Sequence, residues 1–224
     1  LTKEEVSHCI LDEILKLKFV DPACGSGVFL VHLFNRLYQK SIDVVPSNDD
    51  RLVCQKDSGS VLSLEAKRAI IRNCLYGVDI DAEAVEVTKM SLALRVIDGY
   101  SPEYFESAGL YGDMILSGIG DNIKCGNSLV SSDIFETNPE LQQKIDELKE
   151  TNVFDWQIAF PEVFANGGFD YVIGNPPYVE VKNYNVGLPT MASYIKTQYS
   201  ASSNGKIDLV IPFIEKGIQL LNAS

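Results

Sequence analysis

The sequence has no C-x-x-C pair, and its five cysteines are an odd number, which speaks against both a disulfide framework and a structural zinc site. A reducing cytoplasm is the simplest setting for such a chain. No apolar run approaches the ~20 residues that cross a bilayer; the longest, Leu209 to Ile214, carries Pro212. No basic start followed by an apolar core marks a secretory signal. Positive charge is scarce too: 19 Lys and Arg against 31 Asp and Glu leave a net charge of −12. Nucleic-acid binders usually present a basic face to phosphates, so overall charge does not equip this chain to supply most of such an affinity. Histidine is limited to His8 and His32. Neither lies far downstream of Cys24-Gly25-Ser26, where the helper of a cysteine nucleophile is expected.

What is present is an ordinary globular composition: 224 residues, 46% hydrophobic and 22% charged. The length fits one domain, 1–224, with an insertion at about 98–168. The chain starts at Leu1 and stops after a helical pattern, and it reads as a piece of a longer polypeptide.

Periodicity supplies the fold class. Thr2 to Glu5 has capping-box spacing, with Val6, Ile10, Ile14 and Leu17 as a helical stripe behind it. Short apolar strands are expected at 18–20, 75–79, 123–125 and 169–173. Helices are expected after Gly27, from Ser63 to Asn73, from Ala82 behind an Asp81 cap, from Pro139 with Leu141, Ile145 and Leu148 on one face, and over 209–221. Residues 41–60 and 101–120 are polar and turn-rich and read as loops. Strands alternating with helices predict an α/β fold with a doubly wound, mostly parallel sheet. With only four strands in evidence, the sheet is expected to be truncated at its C-terminal end, leaving 171–173 as an open apolar edge.

Ligands of such sheets sit beyond the carboxyl ends of the strands, and those four places hold the least ordinary residues. After the first strand, Asp21-Pro22-Ala23-Cys24-Gly25-Ser26-Gly27 allows close backbone approach and aims a helix N-terminus at it. It is neither G-x-G-x-x-G nor a phosphate loop. After the second, Asp79 can accept from both hydroxyls of a ribose, while Asp81 caps a helix. After the third, Asn127 and Ser128 form either a base-reading pair or a plain Asn-containing turn. After the fourth, Gly174-Asn175-Pro176-Pro177-Tyr178 is a stiff extended loop, because each proline bars its predecessor from helical backbone.

Taken together and in this order, these four motifs resemble those of S-adenosylmethionine-dependent DNA adenine N6-methyltransferases of the Asn-Pro-Pro-Tyr class. The likeness is to the modification domain of fused restriction–modification enzymes, extends to 154–170 and 205–209, and covers nearly the whole chain. It implies a Rossmann-like methyltransferase fold, S-adenosylmethionine as cofactor, no metal, and DNA with a flipped adenine as partner. It also implies a target-recognition domain C-terminal to this chain, a nuclease domain as a further candidate in the same polypeptide, and a prokaryotic cytoplasmic setting. By the same resemblance Thr2, Asp21, Ala23 and Cys24 line the methionine end, on a loop shaped by Gly25 and Gly27. Asp79 holds the ribose, Ile80, Ser128 and Phe213 border the adenine, and Asn127 reads its amino group. Asn175, Pro176, Pro177 and Tyr178 are the catalytic residues.

The residue types suit that chemistry. An exocyclic amine is a poor nucleophile until its two N–H groups are held by acceptors, here the Asn175 amide oxygen and the Pro176 carbonyl. Asn is no general base, and Tyr178 offers a stacking surface for a base taken out of a duplex. Glu65-Ala66-Lys67 and Glu147-Leu148-Lys149 have nuclease-like E-x-K spacing but fall on expected helices and read as solvated faces. Cytosine C5 methylation is disfavoured, since no Pro-Cys nucleophile occupies the catalytic loop. Two alternatives stay open: N-methylation of a protein glutamine or of RNA, and a non-catalytic cofactor-binding assembly module.

Overall fold

Phe19-Val20-Asp21 is the strand about which the structure is organised. The computed structural model describes residues 12–45, 52–56, 59–107, 118–181, 187–199 and 208–222. Residues 12–16 are helical and form the described part of α1. They lead into β1 (Phe19–Asp21), α2 (Val28–Val44), β2 (Val53–Lys56), β3 (Gly59–Leu62), α3 (Leu64–Cys74), β4 (Leu75–Asp79), α4 (Ala82–Ile97) and α5 (Pro102–Ser107). Beyond 117 come β5 (Ile123–Cys125), the short helices α6 (Ile134–Thr137), α7 (Ile145–Thr151), α8 (Trp156–Ala159) and α9 (Pro161–Ala165), then β6 (Tyr171–Val172), α10 (Pro189–Gln198) and α11 (Val210–Leu220).

The main sheet has the order β5-β4-β1-β6 and every pairing in it is parallel. Both faces are covered, as parallel sheets require. On one face α2, α3 and α4 bury Leu30, Phe34, Ile70, Ile71 and Leu92. On the other lies an aromatic cluster of Tyr76, Phe154, Trp156, Phe160 and Phe169; Phe169, fully buried, meets Tyr76, Trp156 and Phe160 edge to face, the arrangement that ring quadrupoles favour. This is the doubly wound α/β architecture that the periodicity predicts. A third cluster, under α10, includes Leu129, Ile134, Leu141, Met191 and Ile195.

Local signals placed the helix starts well. Ser63 accepts the Ala66 N–H at 3.2 Å and Asp81 accepts that of Glu83 at 2.9 Å, each satisfying an otherwise orphaned donor. Four expectations are corrected. Residues 41–60 are not one loop: α2 runs to Val44, and β2 and β3 pair antiparallel, with Val53 opposite Leu62 and both buried. In 101–120, Pro102 opens α5, with Tyr104 and Phe105 packed beside Tyr100. The helix expected from Pro139 is broken, because the Lys144 N–H turns back to Leu141 O. The 3₁₀ turn resets the helical phase, so Leu141 is buried while Ile145 is 62% exposed. The E-x-K positions are solvated faces only in part: Glu65 and Lys149 are exposed, but their partners are not. Lys67 is buried, donates to the carbonyls of Val96 and Asp98, and lies over the Tyr38 and Tyr100 rings; Glu147 accepts the Thr190 N–H.

The fourth strand is shorter than its apolar run, and β6 lies at the sheet edge. At its start the Phe169 N–H donates to Leu220 O at 2.9 Å and the Asn222 N–H to Phe169 O at 2.8 Å, so the chain leaving α11 already pairs there. Tyr171, half exposed, stacks on Phe19 with ring centroids 4.7 Å apart. No helix among the described residues is long and apolar enough to cross a membrane.

Candidate active site

All four strand ends converge on one side of the sheet. The loop after β1 is held by its neighbours rather than by itself. The Cys24 N–H donates to Val78 O at 3.1 Å and the Gly25 N–H to Asp79 Oδ2 at 2.7 Å. From α4 the buried Thr88 hydroxyl donates to Gly25 O at 2.7 Å. Gly27 has φ 79°, and a Cβ there would fall 2.7 Å from Thr88, whereas one at Gly25 would meet nothing within 4 Å. The glycines thus do different things: one permits close packing against α4, the other leaves open space above the loop.

Asp79 is doubly employed, since its Oδ1 also accepts the Asp81 N–H at 3.0 Å. The loop after β5 is stitched to the first: the Ser128 hydroxyl donates to Pro22 O at 2.5 Å, and the Trp156 indole N–H to Ser128 O at 3.1 Å. Asn127 is buried. Its Oδ1 accepts the Leu129 N–H at 3.1 Å, closing an Asx turn, and its Nδ2 lies 3.2 Å from Met191 Sδ.

The loop after β6 is different. Gly174 has φ 155°, and a Cβ there would fall 2.5 Å from Asp21 Oδ1. Asn175 is exposed and its amide makes no hydrogen bond among the described residues. Tyr178 is 74% exposed. The loop closes where the Leu209 N–H donates to Val179 O at 2.9 Å.

A cavity of about 340 Å³ lies between these loops and α10. It brings together Ala23, Asp79, Ile80, Asn127 and Ser128 from one side with Asn175, Pro177 and Phe213 from the other. A smaller cavity of about 250 Å³ adjoins it, sharing Ala23 and Phe213 and lined also by Asp21 and Pro176. Cys24, Gly25, Gly27 and Tyr178 line neither cavity. Cys24 is buried, and that burial, with the charges of Asp21 and Asp79, pushes its thiol up to about 12, so it is an inert packing group. Thr2 lies outside the described residues. Sequence reasoning missed Met191 and Ile195, whose i, i+4 spacing behind Pro189 on α10 was the available signal, and Thr88, which carried none.

Asp21 stands apart: it is 1% exposed, and its Oδ2 has no hydrogen-bond partner among the described residues. A partly buried carboxylate at Asp79, a buried carboxyl at Asp21 and open space over Gly25 leave room for a ligand with a diol and a cationic end.

The Eco57I restriction-modification methylase family model matches residues 73–224. Over 93% of this chain, the sequence is 32% identical to the type II restriction enzyme and methyltransferase RM.Eco57I of Escherichia coli, covering 19% of that protein. It is 25% identical, over 98% of its length, to the adenine-specific methyltransferase PglX of Streptomyces coelicolor, of which it covers 17%. Its fold resembles the type IIL restriction-modification enzyme MmeI, solved in complex with DNA, with a TM-score of 0.51 at 15% identity, over 97% of this chain and 25% of that one. The chain therefore spans at most about a fifth of the length of these two sequence relatives.

Proposed function

This chain belongs to the Eco57I restriction-modification methylase family, and from that premise we propose that it is the part of a restriction–modification enzyme that methylates the N6 amine of adenine in DNA. A methylase needs a methyl donor, and S-adenosylmethionine, whose sulfonium carries an already activated methyl group, suits the cavity. The observation that carries the proposal is that one space of about 340 Å³ is lined both by Asp79 and Asn127 and by Asn175 and Pro177. The residues proposed to hold the donor and the Asn175 amide proposed to hold the amine line one volume, with Pro176 at the adjoining cavity, which suits in-line transfer.

Each residue then has a task. Asp79 accepts from the ribose hydroxyls while holding the Gly25 N–H, so the loop is already in place when the ligand arrives. Ile80 and Phe213 border the adenine of the donor, beside Asn127 and Ser128. Asn175, whose amide has no hydrogen-bond partner among the described residues, accepts one N–H of the target amine, and the Pro176 carbonyl accepts the second. Held so, the nitrogen lone pair leaves ring conjugation, and the same acceptors stabilise the positive charge that develops. The proton passes to solvent, since none of Asn175, Pro176, Pro177 and Tyr178 is a base at neutral pH. Tyr178, exposed beside it, stacks on the extruded base. DNA as partner, a recognition domain beyond this chain, a fused nuclease and a cytoplasmic setting belong to the same proposal.

The test is transfer of labelled methyl groups to duplex DNA by the full-length polypeptide, alongside cofactor titration. Asn175→Ala should lower transfer by roughly 10²-fold or more, the scale of one preorganised contact, while leaving cofactor affinity nearly unchanged. Near-wild-type transfer by this variant would reduce the loop to a rigid turn. Methylation of RNA or of a glutamine peptide in preference to DNA would replace the substrate.

A further inference from the structure

Asp21 is an acid without the surroundings an acid needs. Among the described residues its Oδ1 accepts one N–H, from Ala23 at 3.0 Å, and its Oδ2 accepts none. The described titratable groups that face it are Asp79 at the end of β4 and the Cys24 thiol of its own loop, and neither is a counter-charge. β6, the loop after it and α11 bring Val172, Ile173, Phe213, Ile214 and Ile218 to the adjoining cavity, and none of these ionises. A carboxylate buried in this way is costly and tends to take up a proton instead. Burial, opposed by the Ala23 N–H and reinforced by Asp79, pushes Asp21 up to about 7.

The same carboxyl lies directly against Gly174, where a Cβ would fall 2.5 Å from Oδ1. It therefore touches the residue that precedes Asn175 and lines the cavity of about 250 Å³ next to the nucleoside-sized one. One group thus borders both the donor space and the catalytic loop.

Resting on the S-adenosylmethionine reading above, we propose that donor binding is proton-coupled through Asp21: the ligand's ammonium enters the second cavity, the carboxyl gives up its proton, and the resulting carboxylate pairs with the ammonium while bracing Gly174. The Asp21 O–H bond breaks, the proton goes to buffer, an ion pair forms, and no electrons change hands. Donor occupancy is thereby communicated to Asn175 through a single contact. Asp21 acts here as a positioning residue.

Calorimetric titration of S-adenosylmethionine into the full-length polypeptide, in buffers of differing ionisation enthalpy, counts the protons. At about pH 6 the ligand's α-amino group, with an ordinary pKa of ~7.7–8.0, stays protonated. The wild type should release close to one proton per ligand. Its affinity should rise with pH, by up to about tenfold per unit below pH 7, and fall again once the ligand's ammonium titrates at ~7.7–8.0. Asp21→Asn keeps the shape but has no proton to lose, so below about pH 7 its affinity should be flat with pH and its release absent. Hydrogen exchange at the Gly174, Asn175 and Tyr178 amides should slow on ligand addition in the wild type and not in Asp21→Asn. Wild-type binding without proton release, or release that persists in Asp21→Asn, overturns the coupling and leaves the cofactor reading standing. Equal slowing of exchange in both proteins overturns the bracing. No binding by the wild type at all overturns both the coupling and the cofactor reading beneath it.

Discussion

The loops after β1 and β6 sit across one cavity and are built on opposite plans. Residues 23–25 are held by β4 and α4 through the Val78 carbonyl, the Asp79 carboxylate and the Thr88 hydroxyl. Residues 175–178 are stiffened from within by two prolines, and the Asn175 amide is left free of protein partners among the described residues. The first plan suits binding, because the ordering cost is met during folding rather than when the ligand arrives. The second suits chemistry, because an acceptor already engaged by the protein would have to break that bond before holding a reacting amine. Rigidity by external hydrogen bonds and rigidity by backbone restriction are therefore not interchangeable here.

Asp79→Ala is the largest test of this contrast beyond Asn175→Ala. It removes the acceptor proposed for the ribose and unlocks Gly25 at once, so cofactor affinity should fall at least about tenfold, the effect of ~1.5–3 kcal/mol for a charge-assisted bond. Asp81→Ala should instead cost about 1 kcal/mol of stability as a lost cap and leave affinity nearly intact. Titration of both variants decides the matter, and a reversed order would break the division of labour between the two acids. Tyr178→Ala, on the free loop, should lose stacking worth ~1–3 kcal/mol in DNA methylation rate. With the side chain 74% exposed, its thermal midpoint should not move. Tyr178→Phe should retain most of the rate, because the ring does the stacking. The smallest effect should come from Thr88→Val, which leaves the Gly25 carbonyl without its donor. A loss of about 1 kcal/mol in stability, with cofactor affinity down only a few-fold, would show that Asp79 is the principal lock. A loss as large as that of Asp79→Ala would show that α4 shares it equally.

Much of this site was legible beforehand because its residues follow strand ends, and a strand end is marked locally by glycine, proline or a capping acid. Asp81 could be told from Asp79 by position alone, and it does cap its helix by accepting the Glu83 N–H. Errors fell where local pattern and tertiary packing disagree. The hairpin at 53–62 is too short and polar to announce itself, and it exists because Val53 and Leu62 are buried against the helical face. Lys67 looked solvated until the Tyr38 and Tyr100 rings and two carbonyls enclosed it. Leu141 and Ile145 share a helical spacing but not a face, because one i→i+3 bond at Lys144 breaks the period.

By itself the sequence determined the alternation of elements, the parallel sheet, and the four motifs that meet at its edge, since each depends on backbone preferences within a few residues. Only the tertiary structure decided which polar atoms are occupied. Asn127 spends its oxygen on a turn, Cys24 turns into the core, Met191 and Ile195 close the cavity from a helix far along the chain, and Asp21 is left buried with one oxygen unpaired among the described residues. Burial and partnership are set by groups distant in sequence, and they, rather than residue type, determine whether a carboxyl at a strand end is a ready charge or a held proton.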